Sequence, residues 1–272
     1  MKKMNFSSFL IVFAIALIGL SSCRSEFERI RISGDPERIL QSGNEYFDSG
    51  DYTRAKTLYE LVLNTYRGRA QAEELYYRYA YSHFYLNEYI LSAFYFENFA
   101  NTFPNSQFRE NAEFKAAYSN YMLSPTFRLD QEYTYKAIDG FQRFVNRYPN
   151  SERVAECNQL MDEMRRKLER KAFYQADLYF RMGAYQSAVA SFQHLLQDYP
   201  ETADAERVRY LLVKSNFKLA ENSILARQEE RYASTITAYN NFVRRHPNSE
   251  FLSELNGFKE TSQQKIKELT NE

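Results

Sequence analysis

Two cysteines, Cys23 and Cys157, and three histidines, His83, His194 and His246, are the side chains in this 272-residue chain best suited to nucleophilic or proton-transfer chemistry near neutral pH. Their spacing assembles no reaction centre. There is no HExxH pair, no paired-cysteine metal site, no phosphate-cradling glycine loop and no nucleophile-elbow glycine pattern. The carboxylates are numerous but scattered over helix faces, and His83 and His246 fall where neighbouring copies of an internal repeat carry Tyr or Phe. The reading is of a non-enzyme, with no catalytic residue, no metal and no cofactor.

Covalent chemistry is expected at one position. Lys2 and Lys3 precede an apolar stretch, Phe9 to Leu20, that is too short to span a bilayer and ends in Leu20-Ser21-Ser22-Cys23. Small residues before a cysteine look like a bacterial lipobox. Residues 1–22 then read as a lipoprotein signal peptide and Cys23 as the thiol that carries lipid. Several acyl chains, at roughly 0.8 kcal/mol per buried CH₂, make such an anchor effectively permanent. Arg24 follows the lipidated position, where Asp would resemble a signal for inner-membrane retention, so the expected address is the outer membrane. With Cys23 used, Cys157 has no partner for an internal disulfide and reads as a small core residue.

The elements that position these residues come from a repeat. An aromatic or imidazole side chain precedes proline and a small polar pair four times, at Phe103-Pro104-Asn105-Ser106, Tyr148-Pro149-Asn150-Ser151, Tyr199-Pro200-Glu201-Thr202 and His246-Pro247-Asn248-Ser249. Proline ends a helix and Asn, Ser or Thr starts the next, so each copy closes one unit. An internal period of this size indicates a helical array. The composition agrees: hydrophobic residues make up 44%, with 23 Tyr and 22 Phe, while Gly and Pro are few. Its 35 basic side chains are balanced by 35 acidic ones, which leaves no excess charge to neutralise a nucleic acid.

Apolar positions at three- and four-residue spacing predict an antiparallel hairpin whose helices carry Ile39, Leu40, Gly43, Tyr46 and Phe47, then Tyr52, Ala55, Tyr59, Val62 and Tyr66. Small residues at the crossing resemble the tetratricopeptide repeat. The fold class is therefore all-α, an α-solenoid of about five such hairpins over residues 36–69, 73–106, 111–151, 169–202 and 205–249, with a capping helix at 249–270. Residues 23–35 are expected to form an irregular tether. Met122 to Tyr133 and Ala220 to Arg231 should lengthen the connections inside the third and fifth hairpins. One long helix is expected over 152–181, with the basic run from Met164 to Lys171 as its solvated face.

First helices of stacked hairpins line a groove, and their residues off the packing seam face it. These are Leu40, Asn44, Phe47 and Asp48 in the first hairpin, and Tyr77, Tyr81, Phe84 and Tyr85 in the second. Because Tyr76, Tyr79 and His83 already fill the seam, the second set exceeds what packing requires. The expected ligand is an extended peptide or a helix with aromatic anchors.

The lipobox, the five hairpins and the stretch from Ser124-Pro125-Thr126-Phe127-Arg128-Leu129-Asp130-Gln131 through Ala137-Ile138-Asp139-Gly140-Phe141-Gln142-Arg143-Phe144 to Tyr148-Pro149-Asn150-Ser151 resemble the BamD family of β-barrel assembly lipoproteins. The resemblance covers essentially the whole mature chain and weakens after about residue 215. It implies a non-enzymatic lipoprotein on the periplasmic face of the outer membrane. Implied partners are the periplasmic domains of BamA through the C-terminal repeats, the C-terminal strands of unfolded outer-membrane proteins, and other lipoproteins of the assembly machinery. The alternative is a periplasmic tetratricopeptide adaptor lipoprotein in cell-wall synthesis or cell division.

Overall fold

Each aromatic-proline mark sits immediately after a helix end, and in the first three its small polar residue does two jobs. Ser106, Ser151 and Thr202 accept the backbone N–H two residues on and donate to a glutamate near the start of the same hairpin, Glu73, Glu110 and Glu169 respectively. Ser249 accepts the Phe251 N–H at 3.1 Å in the same way. The mark turns the chain and, in its first three copies, also ties the end of a hairpin to its beginning.

The computed structural model describes residues 25–271. Among these the chain is all-α, with twelve helices and no strand. They are α1 (Glu26–Arg31), α2 (Pro36–Asp48), α3 (Tyr52–Val62), α4 (Ala72–Tyr85), α5 (Tyr89–Thr102), α6 (Arg109–Leu123), α7 (Glu132–Arg147), α8 (Val154–Arg181), α9 (Tyr185–Asp198), α10 (Ala205–Glu221), α11 (Leu225–Arg245) and α12 (Leu252–Thr270). Residues 25–124 with 132–158 form one compact unit, and 125–131 with 159–271 a second.

In the first unit, Asp35 caps α2 by accepting from the Glu37 and Arg38 N–H groups with Pro36 in the first turn, and Asp51 caps α3 by accepting from Arg54 N–H. Tyr59, Phe96, Phe99, Phe114, Phe141 and Phe144 are its largest fully buried side chains. Close helix crossings require small residues. A Cβ on Gly43 would lie 2.9 Å from the Tyr59 ring, and one on Gly140 2.8 Å from the Ala117 Cβ. The hydroxyls of Ser92 and Ser119 meet at 2.9 Å in the interior, and Ser119 also donates to the Lys115 carbonyl at 2.7 Å. Cys157 is fully buried, and burial pushes its thiol up to about 11. In a Cys23→Ser protein, where Cys157 is the remaining thiol, we expect negligible reaction with Ellman's reagent at pH 8 until denaturant is added. Prompt reaction in the folded protein would show an accessible thiolate.

The irregular tether expected over 23–35 is corrected in its described part, 25–35. Ser25 caps a short helix, α1, whose Ile30 is 5% exposed and whose Phe27 packs edge-on to Tyr46 at 5.8 Å. Two apolar residues three apart, Phe27 and Ile30, give this segment one face to bury.

The second unit packs α9 to α12 around Phe192, Leu195, Val208, Val213, Phe242 and Leu255. Its last helix lies with Phe258 stacked on Phe217 at 4.4 Å and with a mostly exposed outer face. The long connection expected over 220–231 is also corrected: only residues 222–224 separate α10 from α11, and Leu225 to Arg231 lengthen α11 instead. That segment contains no Gly or Pro and consists mainly of strong helix formers. By contrast residues 124–131 do form a loop, because Pro125 forces Ser124 into extended backbone, ψ 113°.

The basic run on α8 is more than a solvated face. Lys171 Nζ donates to the carbonyls of Leu129 at 2.8 Å and Phe127 at 3.3 Å, and Arg170 lies over the Phe127 ring at 4.4 Å while Tyr174 meets the same ring at 4.8 Å. Met164 and Leu168 are buried. The run clamps the 125–131 loop.

Candidate peptide-binding site

Residues four apart on a helix share a face, so Tyr77, Tyr81 and Tyr85 form a row along α4. In the first unit this row closes a cavity of about 270 Å³ together with Phe47 of α2, Glu74, Arg78 and Phe108. Tyr77 stacks on Phe108 at 4.5 Å, Tyr81 lies against Tyr85 at 5.5 Å, and Tyr85 stacks on Tyr52 at 4.3 Å. Phe96, fully buried, supports Tyr81 edge-on from beneath at 4.9 Å. Tyr85 remains 45% exposed at the rim.

Most polar groups around the cavity are already engaged, the buried Asn111 Oδ1 being left without a partner. Asn111 Nδ2 donates to the hydroxyls of Tyr77 at 2.5 Å and Tyr81 at 2.7 Å, and burial raises the Tyr81 hydroxyl well above its ordinary value, so it stays neutral. Arg78 donates to Asp48 at 2.6 Å and to Glu74 at 2.8 Å, with its guanidinium 5.1 Å from the centre of the Phe47 ring. Two carboxylates offset that charge. The site therefore offers flat aromatic walls and no net cation, which suits an apolar or aromatic side chain better than a free carboxylate.

Of the residues singled out from sequence, the structure brings together Phe47, Tyr77, Tyr81 and Tyr85, with Asp48 bound to Arg78 at the margin. It does not bring Leu40, Asn44 or Phe84 to the cavity. Leu40 packs against the first hairpin's core, and Asn44 Oδ1 accepts from the Tyr59 hydroxyl at 2.9 Å, so both serve packing. Phe84 points to Tyr118 and Lys115, whose Nζ sits 4.2 Å from its ring centre. Glu74, Arg78, Phe108 and Tyr52 were missed. The Glu74/Arg78 pair was legible as an i, i+4 couple, whereas nothing local marks Phe108.

His83 fills the seam as expected. It is buried, parallel to Tyr95 at 4.9 Å, and its Nδ1 lies 2.6 Å from Glu88 Oε2, which Lys56 also binds at 2.6 Å through Oε1. Burial pulls its pKa below the ordinary imidazole value in spite of that carboxylate. Among the described residues no group of three or more His, Cys, Asp or Glu side chains could hold a metal ion. No helix there is long and apolar enough to cross a membrane. Cys23 lies outside the described residues.

Comparison with known proteins places relatives around this architecture. Residues 33–207 match the YfiO family, described as an outer membrane lipoprotein. The putative outer membrane protein assembly factor BamD of Aquifex aeolicus (strain VF5) is 25% identical over 203 residues, covering 74% of this chain and 66% of that protein, just under two thirds of its length. BamD of Rickettsia prowazekii (strain Madrid E) is 23% identical over 253 residues, covering 93% of this chain and 96% of its own. Among solved structures, the TPR domain of P58(IPK) aligns over 92% of this chain and 72% of its own at 16% identity, with a TM-score of 0.42.

Proposed function

The chain belongs to the YfiO (BamD) family of outer membrane lipoproteins, and from that membership we propose that it acts as a non-enzymatic receptor in outer-membrane protein assembly. In this reading lipid on Cys23 tethers it to the periplasmic face of the outer membrane, its C-terminal repeats dock to the periplasmic domains of BamA, and its N-terminal repeats receive the C-terminal strands of unfolded barrel proteins. Other assembly lipoproteins join the same complex.

The observation that carries the client-binding part is the cavity ringed by Phe47, Tyr77, Tyr81 and Tyr85 in the first two hairpins. A pocket with aromatic walls and an internally compensated Arg78 takes an aromatic side chain from an extended strand and gives little grip on charge. Tethering raises the local concentration of such a receptor, and several weak contacts allow release to the next subunit without an energy source.

The test is a peptide titration. For a Tyr81→Ala/Tyr85→Ala protein we expect affinity for an aromatic-ended strand peptide to fall about tenfold, equivalent to ~1.4 kcal/mol. Tyr85→Ala alone, which removes a half-exposed ring, should give a smaller loss with an unchanged melting temperature. Wild-type affinity in both variants would sink the assignment of this cavity. Crosslinking from membranes followed by recovery of a cell-wall synthesis or division protein in place of BamA would favour the adaptor reading.

A further inference from the structure

A second surface, unconnected with the aromatic cavity, lies wholly within the second unit. A groove of about 830 Å³ is lined by α9, α10 and α11, with α10 packed against both of the others. Its charge is one-sided. Arg209, Arg227, Arg231, Arg244 and Arg245 line it against one carboxylate, Glu230, although the chain as a whole has no formal net charge.

Glu230 is used by Arg227 at 3.4 Å, Arg231 donates to the Ser223 hydroxyl, and Arg244 donates to Asn241 Oδ1 at 2.9 Å. Among the described residues no carboxylate pairs with Arg209 or Arg245. Burial and the charge of Arg245 both pull the Arg209 guanidinium below its ordinary pKa, as two cations sharing one wall should. Such a pair is an electrostatic cost in the free protein that an incoming anion would relieve.

The positive groups are spread out. Arg227 and Arg245 stand about 27 Å apart along α11 at 1.5 Å per residue, with the amides of Gln186, Gln193 and Asn216 and the apolar Val189 and Leu196 also lining the groove. A single phosphate could engage one end only, whereas a polypeptide with several carboxylates could engage both and cover the apolar lining. We propose that this groove docks an acidic segment of a protein partner, a helix or strand with Asp or Glu along its length.

The test uses the full soluble domain, a Cys23→Ser protein lacking the signal peptide. Its probes are a labelled 15-residue Glu/Ala peptide and the same peptide with every Glu replaced by Gln, followed by fluorescence anisotropy. We expect binding of the Glu peptide alone, weakened at least tenfold in R209Q/R245Q and further by raised salt. Thr237→Glu, which adds a carboxylate to the exposed wall, should weaken it independently and guards against a folding artefact in the double variant. Arg165→Gln, an exposed α8 site away from the groove, should bind like wild type. So should Tyr81→Ala/Tyr85→Ala, which separates this proposal from the client-binding one. Equal binding of the Gln peptide, unchanged affinity in R209Q/R245Q, or displacement by millimolar inorganic phosphate at constant ionic strength would each overturn it, the last by marking a phosphate site.

Discussion

A Cys23→Ser protein is expected to leave the membrane and fractionate as soluble protein. On the proposed lipidation of Cys23, serine lacks the thiol that would be joined to a diacylglyceryl group, so the entire lipid contribution would disappear with one atom. That contribution is large. Each long acyl chain brings on the order of 10 kcal/mol of partitioning free energy at roughly 0.8 kcal/mol per CH₂, and two or more chains are what turn marginal binding into stable anchoring. No described helix can replace it by crossing the bilayer. The measurement is immunoblotting of membrane and soluble fractions after a carbonate wash, which strips proteins held only through partners. Retention of the variant in the washed membrane would show an anchor other than lipid at this residue.

Gly140→Leu is expected to destabilise the first unit by about 3 kcal/mol or more. The Cβ of any larger residue there would stand 2.8 Å from the Ala117 Cβ and 3.2 Å from the Ala117 Cα. A methyl stub and a backbone atom cannot swing aside, so α6 and α7 must separate, and overpacking of this kind typically costs about 1–3 kcal/mol even for smaller additions. For a chain of this length each kcal/mol lowers the melting temperature by about 2–4 °C, which predicts a fall of roughly 6–12 °C by circular dichroism. Ala117→Gly in the same protein should restore part of the loss by making room. Gly257→Leu provides the contrast, because nothing lies within 4 Å of a Cβ there and the helix gains up to about 1 kcal/mol in propensity. An unchanged melt for Gly140→Leu would mean that the crossing is loose.

These two sites differ in how far the sequence alone exposes them. Cys23 stands out from its neighbours in the chain, since a charged start, a short apolar run and small residues before a cysteine are consecutive. Gly140 is silent in the sequence, and its role appears only when α7 crosses α6. The same division runs through the fold. Helix ends at Phe103, Tyr148, Tyr199 and His246 were legible because proline acts on its immediate neighbours. The helix at Glu26–Arg31 was not, because six residues carry too little periodicity to outweigh a charged composition and are ordered by Tyr46, which lies in another helix. Ala220 to Arg231 misled for a related reason: extra residues relative to a repeat can lengthen either a loop or a helix, and here helix propensity prevailed over the repeat length.

The candidate site divides along the same line. Tyr77, Tyr81 and Tyr85 share a face by helix geometry, which any reading of α4 reveals. That Leu40 and Asn44 turn inward while Phe47 turns to the cavity depends on how α2 packs against α3. The pairing of Arg78 with Asp48, the closure of the cavity by Phe108, and the sharing of one groove by Arg209 and Arg245 each join groups from different helices or loops. An all-α array of hairpins, its punctuation and its aromatic row follow from interactions within a few residues, which the chain order contains. Which rings face a ligand, which charges are compensated and which are left opposed follow from contacts between distant segments, and only packing in three dimensions settles those.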